Sequence, residues 1–265
     1  MKQPRTIIRI GQQSLAFMSP EGIYEPYTVK SGMSMAANLR EAFRDSETLT
    51  DAGDRVQVLI DANILLIPME EYDESLTEIF YNHTFPESTT ANGLNISSGR
   101  AIVSHVMPEL NCVAVFAMNK DLKMVISDHF SDVRIAPLLA PVWQHLHQRS
   151  YVGQTKKLFA YFHDRRLAVF GFSKNRFRFM NEFRATSVTD AAYFILYVWQ
   201  QLAMNNKKDE LYIVGDIQEP DALREELRKY VSNVFPINPS AEFNRAPVTK
   251  IPNVAYDIVT FSMNA

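Results

Sequence analysis

Short apolar runs separated by turn residues open the chain. Residues 6–10 (TIIRI) are followed by the polar Gly11-Gln12-Gln13 and a second apolar run over 14–18. Pro20-Glu21-Gly22 then turns the chain into residues 24–29. This pattern predicts three strands in succession. Helical spacing takes over after Ser34, a suitable N-cap, with Met35, Leu39, Ala42 and Phe43 at i, i+4, i+7 and i+8. Residues 55–60 alternate so that Val56, Val58 and Ile60 share one face of a strand. A short apolar run over 64–67 ends at Pro68. Proline at a first helical position, with Glu70 and Glu71 in the first turn, predicts a helix to about Asn82.

Residues 83–100 are rich in Thr, Ser and Asn and read as a surface loop. Strands are expected at 101–106 and 112–118, a helix at 120–128, a strand at 133–136 and a helix at 137–148. The remainder repeats the opening plan. Strands over 157–162, 167–172 and 176–184 are joined by His163-Asp164-Arg165-Arg166 and Ser173-Lys174-Asn175. A helix from near Thr189 carries Ala192, Ile195, Leu196, Trp199 and Leu202. Phe194, Tyr197 and Val198 beside that stripe make it apolar nearly all round, which suits a buried helix. A strand over 211–214 ends at Gly215. A helix over 221–231 follows, with Asp221/Arg224 and Glu225/Lys229 as side-chain pairs. A short strand at 234–237 leads to a last apolar run, 254–261, of undetermined type.

The second half thus reads βββαβαβ and the first βββαβα, an insertion, then βαβα. A three-strand meander followed by alternating helix and strand gives a mixed α/β sheet covered on both faces. The expected division is 1–155 and 156–265, with an insertion around 64–118. This order resembles two ribonuclease H-like halves (βββαβαβα) forming an actin-like ATPase fold, particularly the degenerate bacterial members that serve as pilus and secretion scaffolds. More narrowly, NILLIPMEEY, VAVFAMNKDL and ELYIVGDIQEPDALREEL resemble segments of a bacterial family of actin-like fold and unassigned function. The resemblance spans most of the chain and speaks to fold more than to chemistry.

Composition narrows the chemistry. The chain has 265 residues, 27 Lys+Arg against 30 Asp+Glu, nine glycines and one cysteine. A net charge of −3 argues against a nucleic-acid coat or a polybasic membrane surface. Cys112 lies in an apolar run with no second cysteine, so it reads as a small buried hydrophobe. No apolar stretch reaches the length of a membrane span, and MKQPRTIIRIGQQ is not a signal peptide. A cytoplasmic location is expected.

Nucleotide hydrolysis on the resembled fold needs phosphate-gripping turns after the first strand of each half, and a carboxylate in each that orients Mg²⁺. The first turn keeps Gly11, but Arg9 stands where that pattern has an acid. The second has Asp164, no glycine, and Arg165 and Arg166 after it. The adenosine-contact segment offers Gly215 where a glycine pair is usual. A ribonuclease-type metal pair fails because the first strands carry no acids. His145 and His147 are two apart on a helix and point in different directions, and neither HExxH nor GxSxG is present. The sequence therefore predicts no catalytic residue, no cofactor and no metal.

One surface suggests binding. Arg165, Arg166, Lys174, Arg176, Arg178 and Arg184 interleave with Phe170, Phe172, Phe177, Phe179 and Phe183. Alternation assigns Phe177, Phe179 and Phe183 to one face of the third strand, and Arg176, Arg178 and Arg184 to the other. The function expected is a non-catalytic protein-interaction or scaffold role with an unidentified protein partner, homo-oligomerisation included. The alternatives are an atypical ATPase using Gly11, Asp164 and Gly215, and nucleic-acid binding through the basic hairpin 165–184.

Overall fold

The computed structural model describes residues 5–86, 99–174 and 176–264. The chain divides into two compact units, one running to Ala140 and one spanning Pro141–Asn264. Much of the loop expected at 83–100 lies outside the described residues.

The first unit is built on a five-stranded sheet. Strands β1 (Thr6–Ile10), β2 (Leu15–Met18) and β3 (Tyr24–Tyr27) form the antiparallel meander, and β4 (Arg55–Ile60) and β8 (Asp132–Pro137) continue in parallel, in the order β3-β2-β1-β4-β8. All five residues of β1 are buried, as are Val56 to Ile60 of β4. Both faces of these strands are therefore covered, which is why the alternation read for β4 hides Gln57 and Leu59 as well. Helix α1 (Met35–Asp45), followed by the short α2 (Glu47–Thr50), starts where expected: the Ser34 hydroxyl accepts from the Ala37 N–H at 3.1 Å. Asn38, fully buried one turn on, ties down the preceding loop. Its side chain accepts from the Lys30 N–H at 2.8 Å and donates to the carbonyl of Ser34 at 3.1 Å.

Between β4 and β8 the insertion forms its own antiparallel sheet. It comprises β5 (Ile64–Pro68), β6 (Arg100–Met107) and β7 (Cys112–Asn119), in the order β5-β7-β6. The central strand is apolar on both sides for a structural reason. Phe116 and Met118 join the main core of the unit, packed near Leu122 and Ile126 of α4 (Lys120–His129), while Val113 and Val115 pack with Tyr81 of helix α3 (Thr77–Thr84). The single helix expected from Pro68 to Asn82 does not form. Pro68 closes β5, and two 3₁₀ turns, Met69–Glu71 and Glu74–Leu76, precede α3. Extended backbone at Tyr72 and Asp73 separates them, and the Asp73 carboxylate takes the Ser75 N–H at 2.9 Å, a local bond that competes with helix.

The second unit repeats the plan. Strands β9 (Lys157–His163), β10 (Arg166–Ser173), β11 (Arg176–Arg184), β12 (Glu210–Gly215) and β13 (Val234–Pro236) make a sheet in the order β11-β10-β9-β12-β13. Each unit thus places its meander on one side of its first strand and two parallel strands on the other. One face is closed by α6 (Val188–Gln201) and α7 (Pro220–Arg228), with Ile195, Val198, Leu223 and Leu227 against Leu158, Val169 and Ile213. The opposite face carries α5 (Ala140–Ser150), where Trp143 meets Phe170 and Phe177 edge-on, and the last apolar run, which after the short α8 (Pro239–Glu242) is helix α9 (Tyr256–Asn264). Helix α5 starts after Pro137, which is still strand, and the unit boundary falls at its first residue rather than near 155.

Three further expectations are corrected. Helix α6 is not buried all round: Tyr193 and Tyr197 are exposed and stack at 6.2 Å. Helix α7 ends at Arg228. Lys229, just past it, pairs with Glu226 at 2.5 Å rather than with Glu225, while Asp221–Arg224 is present at 3.7 Å.

Beneath α5 lies a buried polar network. Glu242 accepts from Arg149 at 2.6 Å and from the Tyr256 hydroxyl at 2.7 Å, and faces His145 at 3.1 Å. Burial alone would raise the Glu242 pKa, but these hydrogen bonds outweigh it and hold the carboxyl below its ordinary value. His147, the other histidine of that helix, instead meets the Lys174 carbonyl at 2.8 Å, so the two rings have separate partners.

Candidate functional site

The strand-end turns carry the first candidates. After β1, the Gly11 N–H closes a tight turn on the Ser14 carbonyl at 2.8 Å. Arg9 is buried, 5% exposed, and its guanidinium donates to the Ser14 hydroxyl at 2.9 Å. After β9 the turn is a two-residue hairpin with Asp164 and Arg165 both left-handed, at φ 44° and 61°. Aspartate tolerates that conformation. Arginine does so at a cost of about 1–2 kcal/mol, where glycine would cost nothing. Arg166 then forms an ion pair with Glu182 at 3.0 Å.

Gly215 ends β12 at φ 105°, and a Cβ there would sit 2.0 Å from the Phe162 carbonyl oxygen. Glycine at this position lets β12 close on β9. A cleft of ≈50 Å³ opens at this edge, lined among others by Arg165, Arg166, Thr186, Ser187, Asp216 and Glu219. It lies outside the carboxyl ends of β9 and β12, beside the starts of α6 and α7. Sites for drug-sized ligands and cofactors run to ~300–1,000 Å³. This cleft has room for water or a small ion, and its lining holds two acids as well as two cations.

The basic hairpin is divided by a β-bulge. Gly171 pairs with Phe179 and Phe172 with Phe177, so Arg178 is an extra residue on β11. Past it the strand changes face, which corrects the expected alternation. Phe179 and Phe183 pack toward Ile195 and Trp199, whereas Phe177 turns to Phe172 and Trp143 on the other side of the sheet. The cations are dispersed accordingly. Arg166 and Arg184 are cross-strand neighbours at one end of the hairpin, next to Arg165, while Lys174 and Arg176 lie at the other. Arg178 donates to the Leu202 carbonyl at 2.9 Å, at the C-terminus of α6. Cys112 is buried, and burial pushes its thiol up to about 12, so it is an inert apolar residue at neutral pH.

The insertion holds a surface that the sequence reading missed. Thr77 and Tyr81 form the buried face of α3. Leu76, at its N-cap, with Ile79 and Phe80, at i, i+3 and i+4, lies on the opposite side, exposed at 39%, 62% and 43%. Met69 of the first 3₁₀ turn is exposed as well. The same segment carries Glu71, Asp73, Glu74 and Glu78, all exposed, and Glu70, which accepts from Asn111 at 3.0 Å.

Comparison with known proteins fixes the fold. No curated protein matches the chain in sequence. Among solved structures, a Bacteroides thetaiotaomicron protein described as having an actin-like ATPase fold and unknown function superposes with a TM-score of 0.81 at 22% identity, covering 99% of this chain and 96% of that one. The PilM–PilN type IV pilus biogenesis complex matches with a TM-score of 0.57 at 11% identity, over 100% of this chain and 99% of that one. The cytoplasmic domain of EpsL, from the type II secretion system of Vibrio cholerae, is more distant, with a TM-score of 0.40 at 11% identity over 78% and 80%. No helix among the described residues is long and apolar enough to cross a membrane. The chain has an actin-like ATPase fold, and its residues 7–234 match the model of the DUF3822 proteins of unknown function, the family to which it belongs.

Proposed function

We propose that the protein is a non-catalytic interaction module whose insertion presents a docking face for another protein. The observation that carries this reading is the outer side of α3. A helix packed on one side through Tyr81 exposes Leu76, Ile79 and Phe80 on the other, and contiguous exposed apolar residues rimmed by charge mark interaction surfaces. The pilus complex of similar fold contains two named proteins, which is consistent with such a role. The buried Arg9 supports the non-catalytic part. A fixed guanidinium stands where the resembled pattern has a carboxylate for Mg²⁺, and it repels a divalent cation. Photocrosslinking through position 80 is the test, expected to trap a discrete partner.

A second reading, binding of ATP or another phosphate compound, is favoured by the cleft beside Arg165 and Arg166 at the starts of two helices. Its small volume and its two acids weigh against it. Millimolar Mg-ATP is expected to leave the melting temperature unchanged. A dose-dependent rise of several degrees, lost in Arg165→Ala, would favour the nucleotide reading instead.

A further inference from the structure

The charge around the α3 face specifies what docks there. From Pro68 to Asn82 the chain carries Glu70, Glu71, Asp73, Glu74 and Glu78 and no lysine or arginine. These acids do not lie along one helix. They come from two 3₁₀ turns and α3 in succession, and Asp73 is held in place by the Ser75 N–H and hydroxyl at 2.9 and 2.6 Å. The exposed Leu76, Ile79 and Phe80 thus lie in a segment whose lysine, arginine, aspartate and glutamate positions are all acidic.

We infer that this face binds a basic amphipathic segment of a partner protein, one that buries two or three apolar side chains against Ile79 and Phe80 and places lysines or arginines over the acids. The inference rests on the interaction reading above and adds the partner's chemistry to it. Such an arrangement draws its affinity from the apolar anchors and its selectivity and association rate from charge. Nucleic acid and anionic membranes are repelled by the same field. A second copy of this chain is the other charge-complementary candidate, through β11. That edge is interrupted by the bulge at Arg178, and Arg178 and Arg166 are already engaged within their own unit, so it is a poor match.

The test uses the full chain and three fluorescein-labelled synthetic peptides of equal length: a Leu/Lys amphipathic helix, its Leu/Glu counterpart and an oligolysine. Anisotropy titration is expected to give at least about ten-fold tighter binding for Leu/Lys than for either of the others, weakening between about 50 and about 300 mM salt. The double variants Ile79→Ser/Phe80→Ser and Glu74→Lys/Glu78→Lys are each expected to lose at least about ten-fold. All four positions are exposed, and an unchanged melting temperature verifies that the variants fold. Equal binding of Leu/Lys and Leu/Glu, lost in the serine variant, would overturn the basic-partner inference and leave the docking face standing. Binding of Leu/Lys undiminished in the serine variant, or no binding by any peptide together with no crosslinked partner at position 80, would overturn both. Salt-sensitive self-association in sedimentation, lost in the serine variant, would assign the face to a second copy and overturn the inference.

Discussion

Gly215→Ala is expected to destabilise the protein by more than about 3 kcal/mol, which puts it among the most damaging single-methyl substitutions available. Two separate costs combine. The backbone at φ 105° is one that L side chains rarely adopt, and the new Cβ would lie 2.0 Å from the Phe162 carbonyl oxygen. That oxygen also accepts the Asp216 N–H at 2.9 Å, so it cannot retreat without opening the end of the β9–β12 pair. Gly53 supplies the control. Its φ is 60° and nothing lies within 4 Å of the added methyl, so Gly53→Ala should cost only about 1 kcal/mol, from conformation alone. Urea unfolding of both variants reads the difference. Equal midpoints would show that close approach of the two strands contributes nothing.

Trp143→Ala should cost about 3–5 kcal/mol, because a fully buried indole leaves a cavity that its neighbours cannot fill. Its ring meets Phe170 at 6.4 Å and Phe177 at 5.1 Å, both nearly perpendicular, and so fastens α5 to the meander of the second sheet. Trp143→Phe is expected to cost far less, under about 1.5 kcal/mol. The indole N–H is buried without a hydrogen-bond partner among the described residues, so phenylalanine removes that donor while keeping most of the ring. Denaturation midpoints separate the two variants. A phenylalanine variant as unstable as the alanine one would contradict the packing account.

Much of this architecture is legible in the sequence because its signals are local. The Ser34 cap and the spacing of Leu39 and Ala42 specify α1, and runs such as KLFAYF and LAVFGF are too apolar to lie anywhere but in a covered sheet. What escaped depends on partners distant in the chain. The extra residue Arg178 is invisible until β10 supplies the register, and it moves Phe177 to the other side of the sheet. The Glu242 network joins residues 93 positions apart, and no spacing rule connects Arg149 to Glu242.

The α3 surface was hidden by a plausible error. Read as one helix, Met69, Tyr72, Leu76, Ile79 and Phe80 fall on a single stripe and look like core. The break at Tyr72 and Asp73 resets the phase, so Tyr72, Thr77 and Tyr81 take the inner positions and Leu76, Ile79 and Phe80 are left outside. An Asx-type bond at Asp73 was the one signal that could have exposed this. The turns after β1 and β9 are visible in the sequence as residue types alone. Their geometry adds that Arg9 is buried and Arg166 paired with Glu182.

Site-specific photocrosslinking in native cells shows whether another protein docks on the outer side of α3. A benzophenone amino acid replaces Phe80 on the outer side of α3, and a control position, Lys208, carries it on the exposed turn before β12. A discrete crosslinked protein is expected from position 80, absent from position 208 and lost when Glu74 and Glu78 are changed to lysine. No product from position 80, or the same products from both positions, would contradict docking at this face.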